Sequence, residues 1–452
     1  MRASPIGRDQ IAKLHQKIRD SYLAGLLSVS IGIILASTAG GWDITNHLLN
    51  KPESFFSPPH AALYSGVSLV IVGGVLIHIS RSDFRQQERQ IRRTVLNANY
   101  VSRLPLSIKL IFLGIALLVS AGPFDYAWHS SFGLDGLLSP PHAILTAGMA
   151  FGSIGALIGI LSINRGLKYG YKNDGTDYEI SKIRKLGANN FTAPSNLMKK
   201  EIHHAKPYNK AAHPILIIIG ILPVWLTVSG LIHMATLPFS DTPYFNFNPN
   251  PIVAVVIATF FFPFLVSFIL FSSFRLCIDQ GCGSIGGPKS MKNNKFIPFG
   301  IISLIGITFI VVNILTSILP NEYLTPTLPF YIMNVLPLVG ADLLLSKGSI
   351  ITEQNHVSVN KRENNVINYL AGSILGLSFF TLYFPLITHT YNEALPNAGP
   401  VWPSLTSLIY FKIIQGMGLF AIVPAMIMGV FGVVMSSNIL GLQQRQKTMI
   451  QN

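Results

Sequence analysis

The stretch WDITNHLLNKPESFFSPPHAAL, Trp42 to Leu63, ends one apolar run, breaks, and opens a second apolar run at Ser-Pro-Pro-His. The stretch FDYAWHSSFGLDGLLSPPHAIL, Phe124 to Leu145, repeats the arrangement 82 positions further on. Each reads Asp, three residues, His, twelve residues, His, so Asp43, His47 and His60 correspond to Asp125, His129 and His142. Asp and His four apart share one face of a helix. Ser-Pro-Pro-His is a helix start, with a capping Ser and prolines where no amide hydrogen is required. Each stretch is therefore the turn of a helical hairpin. It brings one carboxylate and two imidazoles toward a common point: the end of one helix and the first turn of the next.

The surrounding sequence makes these hairpins membrane hairpins. The 452 residues are 50% hydrophobic and 12% charged, against about 25% charged in soluble domains, and the mean hydropathy is +0.47. Apolar runs of about 20 residues recur along the chain, the length needed to span a bilayer. They predict an all-α polytopic membrane protein of about ten spans, near 20–42, 59–80, 105–124, 141–164, 212–234, 251–274, 297–319, 327–346, 366–388 and 406–440. The first run is too long for a signal-peptide core and is read as an uncleaved helix. The expected organisation is a basic tail over 1–19, two hairpins with the duplicated motif over 20–164, and a polar loop over 165–211. Three further hairpins over 212–440 and a tail over 441–452 follow.

The net charge of +14 does not point to nucleic acid. Its basic residues cluster in the tails and in alternate loops, as in Arg81, Arg85, Arg89, Arg92 and Arg93 after the second span. That asymmetry places both termini and those loops in the cytoplasm and the motifs on the opposite side. Trp42, Trp128 and Trp402 fall where an interfacial aromatic belt belongs. The expected partners are the lipid bilayer and other membrane subunits. Two cysteines, Cys277 and Cys282, are too few for a disulfide framework.

An Asp and a His one turn apart can simply pair, and a histidine at a membrane interface is often a polar anchor. Against that bland reading, ionisable groups in or near a bilayer are costly and mark function. Here six of them keep type and spacing while the residues between diverge, LLNKPESFF against SSFGLDGLL. Asp43, His47, His60, Asp125, His129 and His142 are therefore candidate metal ligands. Two imidazoles and a carboxylate suit copper, zinc or non-haem iron. Weaker candidates are His233, and His389 with Glu393, on later hairpins. His78, His203, His204 and His213 read as interface or solvated residues, and Asp342 as a snorkelling carboxylate.

The stretch DYAWH…SPPH resembles the copper-ligand segment of the C subunit of the copper membrane monooxygenases, the particulate methane and ammonia monooxygenases. That family places Asp, three residues, His, twelve residues, His at its membrane copper site, with a Trp before the first His and a Pro shortly before the last. Asp125, Trp128, His129, Pro140 and His142 occupy those positions. The family also carries a second constellation, with Asn in place of the Asp; this chain has Asp in both copies, and Asn46 where the second has Trp128. The resemblance covers about 20 residues per copy, within the first four spans. It implies copper and oxygen chemistry carried out with partner subunits, in a distant or extended relative. A copper-handling or assembly protein for another membrane enzyme, or a protein whose motifs only brace helix ends, is the competing expectation.

Overall fold

The computed structural model describes residues 8–48, 54, 56–91, 105–132, 139–168, 214–236, 256–280, 300–319, 325, 328–333, 335–354, 361–378 and 422–440. Among them every regular element is helical and no strand is present. Six helices among the described residues are long and apolar enough to cross a membrane: Ile18–Asp43, Pro58–Ser82, Leu106–Phe132, Pro140–Ile163, Thr259–Ile278 and Ile422–Leu440. Four shorter apolar helices, Ile215–Leu231, Ile301–Thr316, Tyr331–Ser346 and Asn365–Leu377, overlap the other expected segments. The loop expected over 165–211 lies outside the described residues from 169 onward.

Helices α1 (Arg8–Leu48), α2 (Pro58–Ile91), α3 (Leu106–Phe132) and α4 (Pro140–Lys168) form the first half. Glycines let the two helices of each hairpin touch along their backbones. A Cβ at Gly32 would meet the Gly66 carbonyl oxygen at 2.7 Å, and a Cβ at Gly114 would meet that of Gly148 at 2.7 Å. A Cβ at Gly73 would meet the Gly25 carbonyl oxygen at 2.7 Å, and one at Gly155 that of Ser107 at 2.6 Å. Each contact in α3–α4 lies 82 positions after its counterpart in α1–α2. Small residues allow this approach where lipid supplies no hydrophobic drive between helices.

The two hairpins pack side by side with their turns at the same end, so the helices that face each other across them run antiparallel. Gly152 and Gly159 of α4 face Ile33 and Leu26 of α1, and Gly74 of α2 faces Ile115 and Phe112 of α3. The Ser37 hydroxyl donates to the Met149 sulfur at 3.3 Å, tying α1 to α4. Leu26, Val29, Ile33, Val70, Ile77, Ile108, Ile111 and Ile160 form the shared core. The ends of α1 and α3 that carry the motif aspartates, and the starts of α2 and α4 that carry the motif histidines, consequently lie at one end of the bundle.

The second half comprises α5 (Pro214–Thr236), α6 (Phe262–Gln280), α7 (Ile301–Asn313), α8 (Leu328–Met333), α9 (Val335–Gln354), α10 (Lys361–Leu377) and α11 (Ile422–Leu440). One π-helical turn, Ile257–Phe261, precedes α6, and another, Ile314–Ile318, follows α7. The core is built on Trp225 of α5, stacked on Phe262 with centroids 6.3 Å apart and edge-on to Phe309 at 5.7 Å. α5 packs against both α1 and α4, and the second π turn packs on α1.

Asp342 differs from its expected snorkelling role. It is fully buried on α9. Its carboxylate accepts from the Ser303 amide at 2.7 Å, the Ser303 hydroxyl at 2.6 Å and the Ile302 amide at 3.3 Å. It caps α7, whose first residue follows Gly300 in the left-handed conformation, φ 88. Helix-start amides have no partner within their own helix, and here a carboxylate from a neighbouring helix supplies it.

Candidate metal centre

The Pro-Pro pair shapes the histidine-bearing helix starts. The prolines occupy the first two helical positions and remove two of the amides a helix start leaves unpaired. The Ser57 and Ser139 carbonyls accept the first helical bonds, from Ala61 and Ala143, both at 2.9 Å. The serine side chains do not act as the expected caps. Both hydroxyls are buried and, among the described residues, have no hydrogen-bond partner. Pro59 and Pro141, at the second helical position, have no amide hydrogen, so one of the two usual targets of a capping hydroxyl is gone. His60 and His142 are the third residues of their helices, as the spacing predicts.

In the second hairpin the three candidates meet. Asp125, His129 and His142 each offer one ligand atom, all within 4.8 Å of one another, a group that can hold a metal ion. Asp125 Oδ1 lies 3.4 Å from His129 Nε2 and 3.5 Å from His142 Nε2. The two rings have centroids 6.1 Å apart. Charge-assisted hydrogen bonds favour about 2.7–2.9 Å. Ligand atoms at tetrahedral corners around an ion bound at about 2.0–2.1 Å are separated by about 3.4 Å. The spacing of this trio therefore fits a shared ion better than close direct pairing.

In the first hairpin His60 Nε2 lies 3.1 Å from Asp43 Oδ1. The other ring nitrogen, Nδ1, is 3.0 Å from the Ser54 carbonyl oxygen. A carbonyl can only accept, so Nδ1 carries a hydrogen. Nε2 is then either a lone pair aimed at the site or a second N–H on an imidazolium. A ligating histidine is commonly fixed by this kind of backbone bond on its far nitrogen. His47 lies on α1 one turn beyond Asp43, but its side chain is outside the described ones.

The two sets are neighbours. The Asp125 carboxylate interacts electrostatically with His60 as well as with His129 and His142. Tyr64, one turn after His60 on α2, interacts in the same way with both Asp125 and Asp43. Sequence reasoning missed Tyr64 and the Ser54 carbonyl. The i, i+4 spacing from His60 was available as a signal for the tyrosine; nothing in a sequence marks a particular carbonyl.

The surroundings of the sets differ. The Asp43 side chain is 11% exposed and that of Asp125 31%. Gly41 lies against the π turn, where an added Cβ would stand 3.8 Å from the Thr316 hydroxyl. At the matching place α3 has Pro123, followed by the exposed Phe124 and Tyr126. Trp128 packs between Phe124 and Phe132, centroids 6.0 and 4.5 Å away. These three, four apart along α3, form an aromatic stripe beside the second set.

Of the weaker candidates, His233 lies on α5 with its side chain outside the described ones, and His389, Glu393, His203, His204, His213 and Cys282 lie outside the described residues. His78 packs edge-on to Phe112, centroids 6.4 Å apart, and Cys277 is buried in the second-half core. No protein-family model, curated protein or solved structure matches the chain.

Proposed function

We propose that this chain is a multi-pass membrane copper protein, with one Asp-His-His site in each of its first two hairpins. The observation that carries the reading is the convergence of Asp125, His129 and His142 from two helices within ligand distance. Asp43, His47 and His60 are the matching ligands of the first hairpin. The exact spacing and the matching glycine contacts support a tandem duplication of one hairpin. Ten spans in five hairpins, with both termini on the basic, cytoplasmic side, place the sites at the extracytoplasmic face.

Copper is favoured over zinc and iron on two grounds. The divalent affinity order at nitrogen and oxygen ligands peaks at Cu(II). The motif also resembles the copper segment of the membrane monooxygenase C subunit. Copper bound here would supply one-electron and oxygen chemistry. The chain's own part is to bind and orient it: two carboxylates carry the charge, and the Ser54 carbonyl fixes the His60 tautomer with Nε2 toward the site. A monooxygenase-like role would require partner subunits. Copper handling for another enzyme is the second reading, favoured by two sets placed side by side at one end of the bundle. Carriers that move substrate across a bilayer bind it near the midplane, which argues against transport.

Metal analysis of purified protein tests the proposal. Copper should co-purify, with a nitrogen-ligated Cu(II) resonance and no thiolate signature. Stoichiometric zinc or iron without copper, in protein never exposed to chelator, would overturn the copper assignment and the oxygen chemistry with it.

A further inference from the structure

The two hairpins meet along two seams, one between α1 and α4 and one between α2 and α3. The shift of 82 positions exchanges them. The α1–α4 seam is closed: α5 packs on both of its helices, and Gly220 of α5 faces Ile160 and Leu157 of α4. Among the described residues no element packs to a comparable extent on the α2–α3 seam. Exposed groups along it face whatever surrounds the bundle.

At one level this open seam turns basic. His78 of α2 packs edge-on to Phe112 of α3, centroids 6.4 Å apart. Arg81 lies one turn after His78, and Lys109 one turn before Phe112. The two helices run antiparallel, so both residues lie on the same side of that contact, toward the bundle end opposite the motifs. His78 and Lys109 are exposed and Arg81 is half-buried. The apolar spans end at Ser82 in α2 and begin at Leu106 in α3, so the three groups sit at the depth of the bilayer interface. The acid at this end of α1, Asp20, is paired with Arg19 at 3.6 Å. The start of α3 adds the positive end of a helix, which favours an anion.

The duplication shows that the basic groups belong to the open seam alone. The residues matching His78, Arg81 and Lys109 are Ile160, Ile163 and Leu27, and these pack in the shared core. One turn toward the motifs the open seam becomes apolar again, with Val75 of α2 and Leu113 of α3 exposed.

We propose that the α2–α3 seam binds an anionic phospholipid. Its phosphate lies beside Arg81, Lys109 and His78, and an acyl chain runs along Val75 and Leu113. On the orientation proposed above this is the cytoplasmic leaflet, whose anionic lipids attract basic groups at span ends. The lipid site stands independently of the metal reading.

The test is native mass spectrometry of the purified full-length chain. The probes are phosphatidylglycerol, phosphatidylcholine with the same acyl chains, and water-soluble glycerol phosphate. Phosphatidylglycerol should be retained in preference to the other two. Arg81→Gln and Lys109→Gln should each weaken its binding about fivefold, and together about 30-fold, the usual contribution of basic residues beside an anionic membrane. Arg81→Lys combined with Lys109→Arg keeps both charges and should retain the lipid. Arg165→Gln with Lys168→Gln removes two charges from the end of α4 and should leave binding unchanged. Wild-type binding in both glutamine variants would overturn the proposal. Equal weakening by the α4 pair would reveal a diffuse positive field, and loss in the charge-keeping pair would tie binding to packing; either result overturns it. Equal retention of the two lipids, or glycerol phosphate bound as tightly as the lipid, would do the same.

Discussion

Hairpins one and two carry the same ligand pattern at the same spacing, yet their tertiary surroundings differ. α1 is enclosed by α2, α4, α5 and the π turn at Ile314–Ile318, and Asp43 is correspondingly buried. α3 touches α4 and α2 and otherwise presents Leu113, Val119, Phe124 and Tyr126 outward. The helix pair and its turn set the local geometry of a site. Whatever packs against the outside of the hairpin sets its access and dielectric. One local design thus yields a more buried carboxylate in the first hairpin and a more exposed one in the second, and the second has the aromatic stripe beside it.

The comparison can be broken most decisively at the ligands. His142→Ala should remove the metal held by the second set and leave a membrane-inserted protein, since insertion depends on the apolar spans. His60→Ala should do the same to the first set alone. Metal analysis of the two variants decides the matter. If either substitution strips both ions, or neither strips any, the picture of two complete ligand sets is wrong.

A smaller effect is expected where the hairpin helices touch. Gly32→Leu and Gly114→Leu each drive a side chain into a facing carbonyl and should cost about 3 kcal/mol, the upper end of the usual range for overpacking a tight interior. Unfolding in a detergent–denaturant titration measures both. A neutral result at either position would show that the two interfaces are not equivalent.

Asp342→Asn should have the smallest effect. It keeps one acceptor and most of the shape while removing a charged hydrogen-bond acceptor, a loss of about 1–2 kcal/mol, and it should leave copper content unchanged. The result would separate a buried carboxylate that caps a helix from the two that face histidines. Loss of metal in this variant would join α7 and α9 to the metal centre and undo the contrast with the hairpins.

Much of this was legible in the sequence. Apolar runs of bilayer length specify helices, because no other open structure satisfies its backbone in lipid. The i, i+4 pair and the Ser-Pro-Pro start placed Asp125, His129 and His142 on adjoining helix ends, since those signals act within a turn or two. The Asp342 cap was not legible, because its donors lie about 40 residues away on a helix that only packing brings near. Nor was the missing serine cap, because whether the hydroxyl reaches a helix-start amide depends on how the chain enters the helix.

By itself, then, the sequence determined an all-helical membrane chain, two hairpin turns, and the residue types that converge at each. Hydrophobic length, helical period and proline chemistry are local, and they act before any tertiary contact exists. Only the tertiary structure decided that the two sets lie side by side and that Asp43 is more deeply buried than Asp125. Those depend on which faces of α1 through α4 meet. That choice is made by the summed fit of glycine surfaces and branched side chains over the whole bundle, and no single stretch of sequence encodes it.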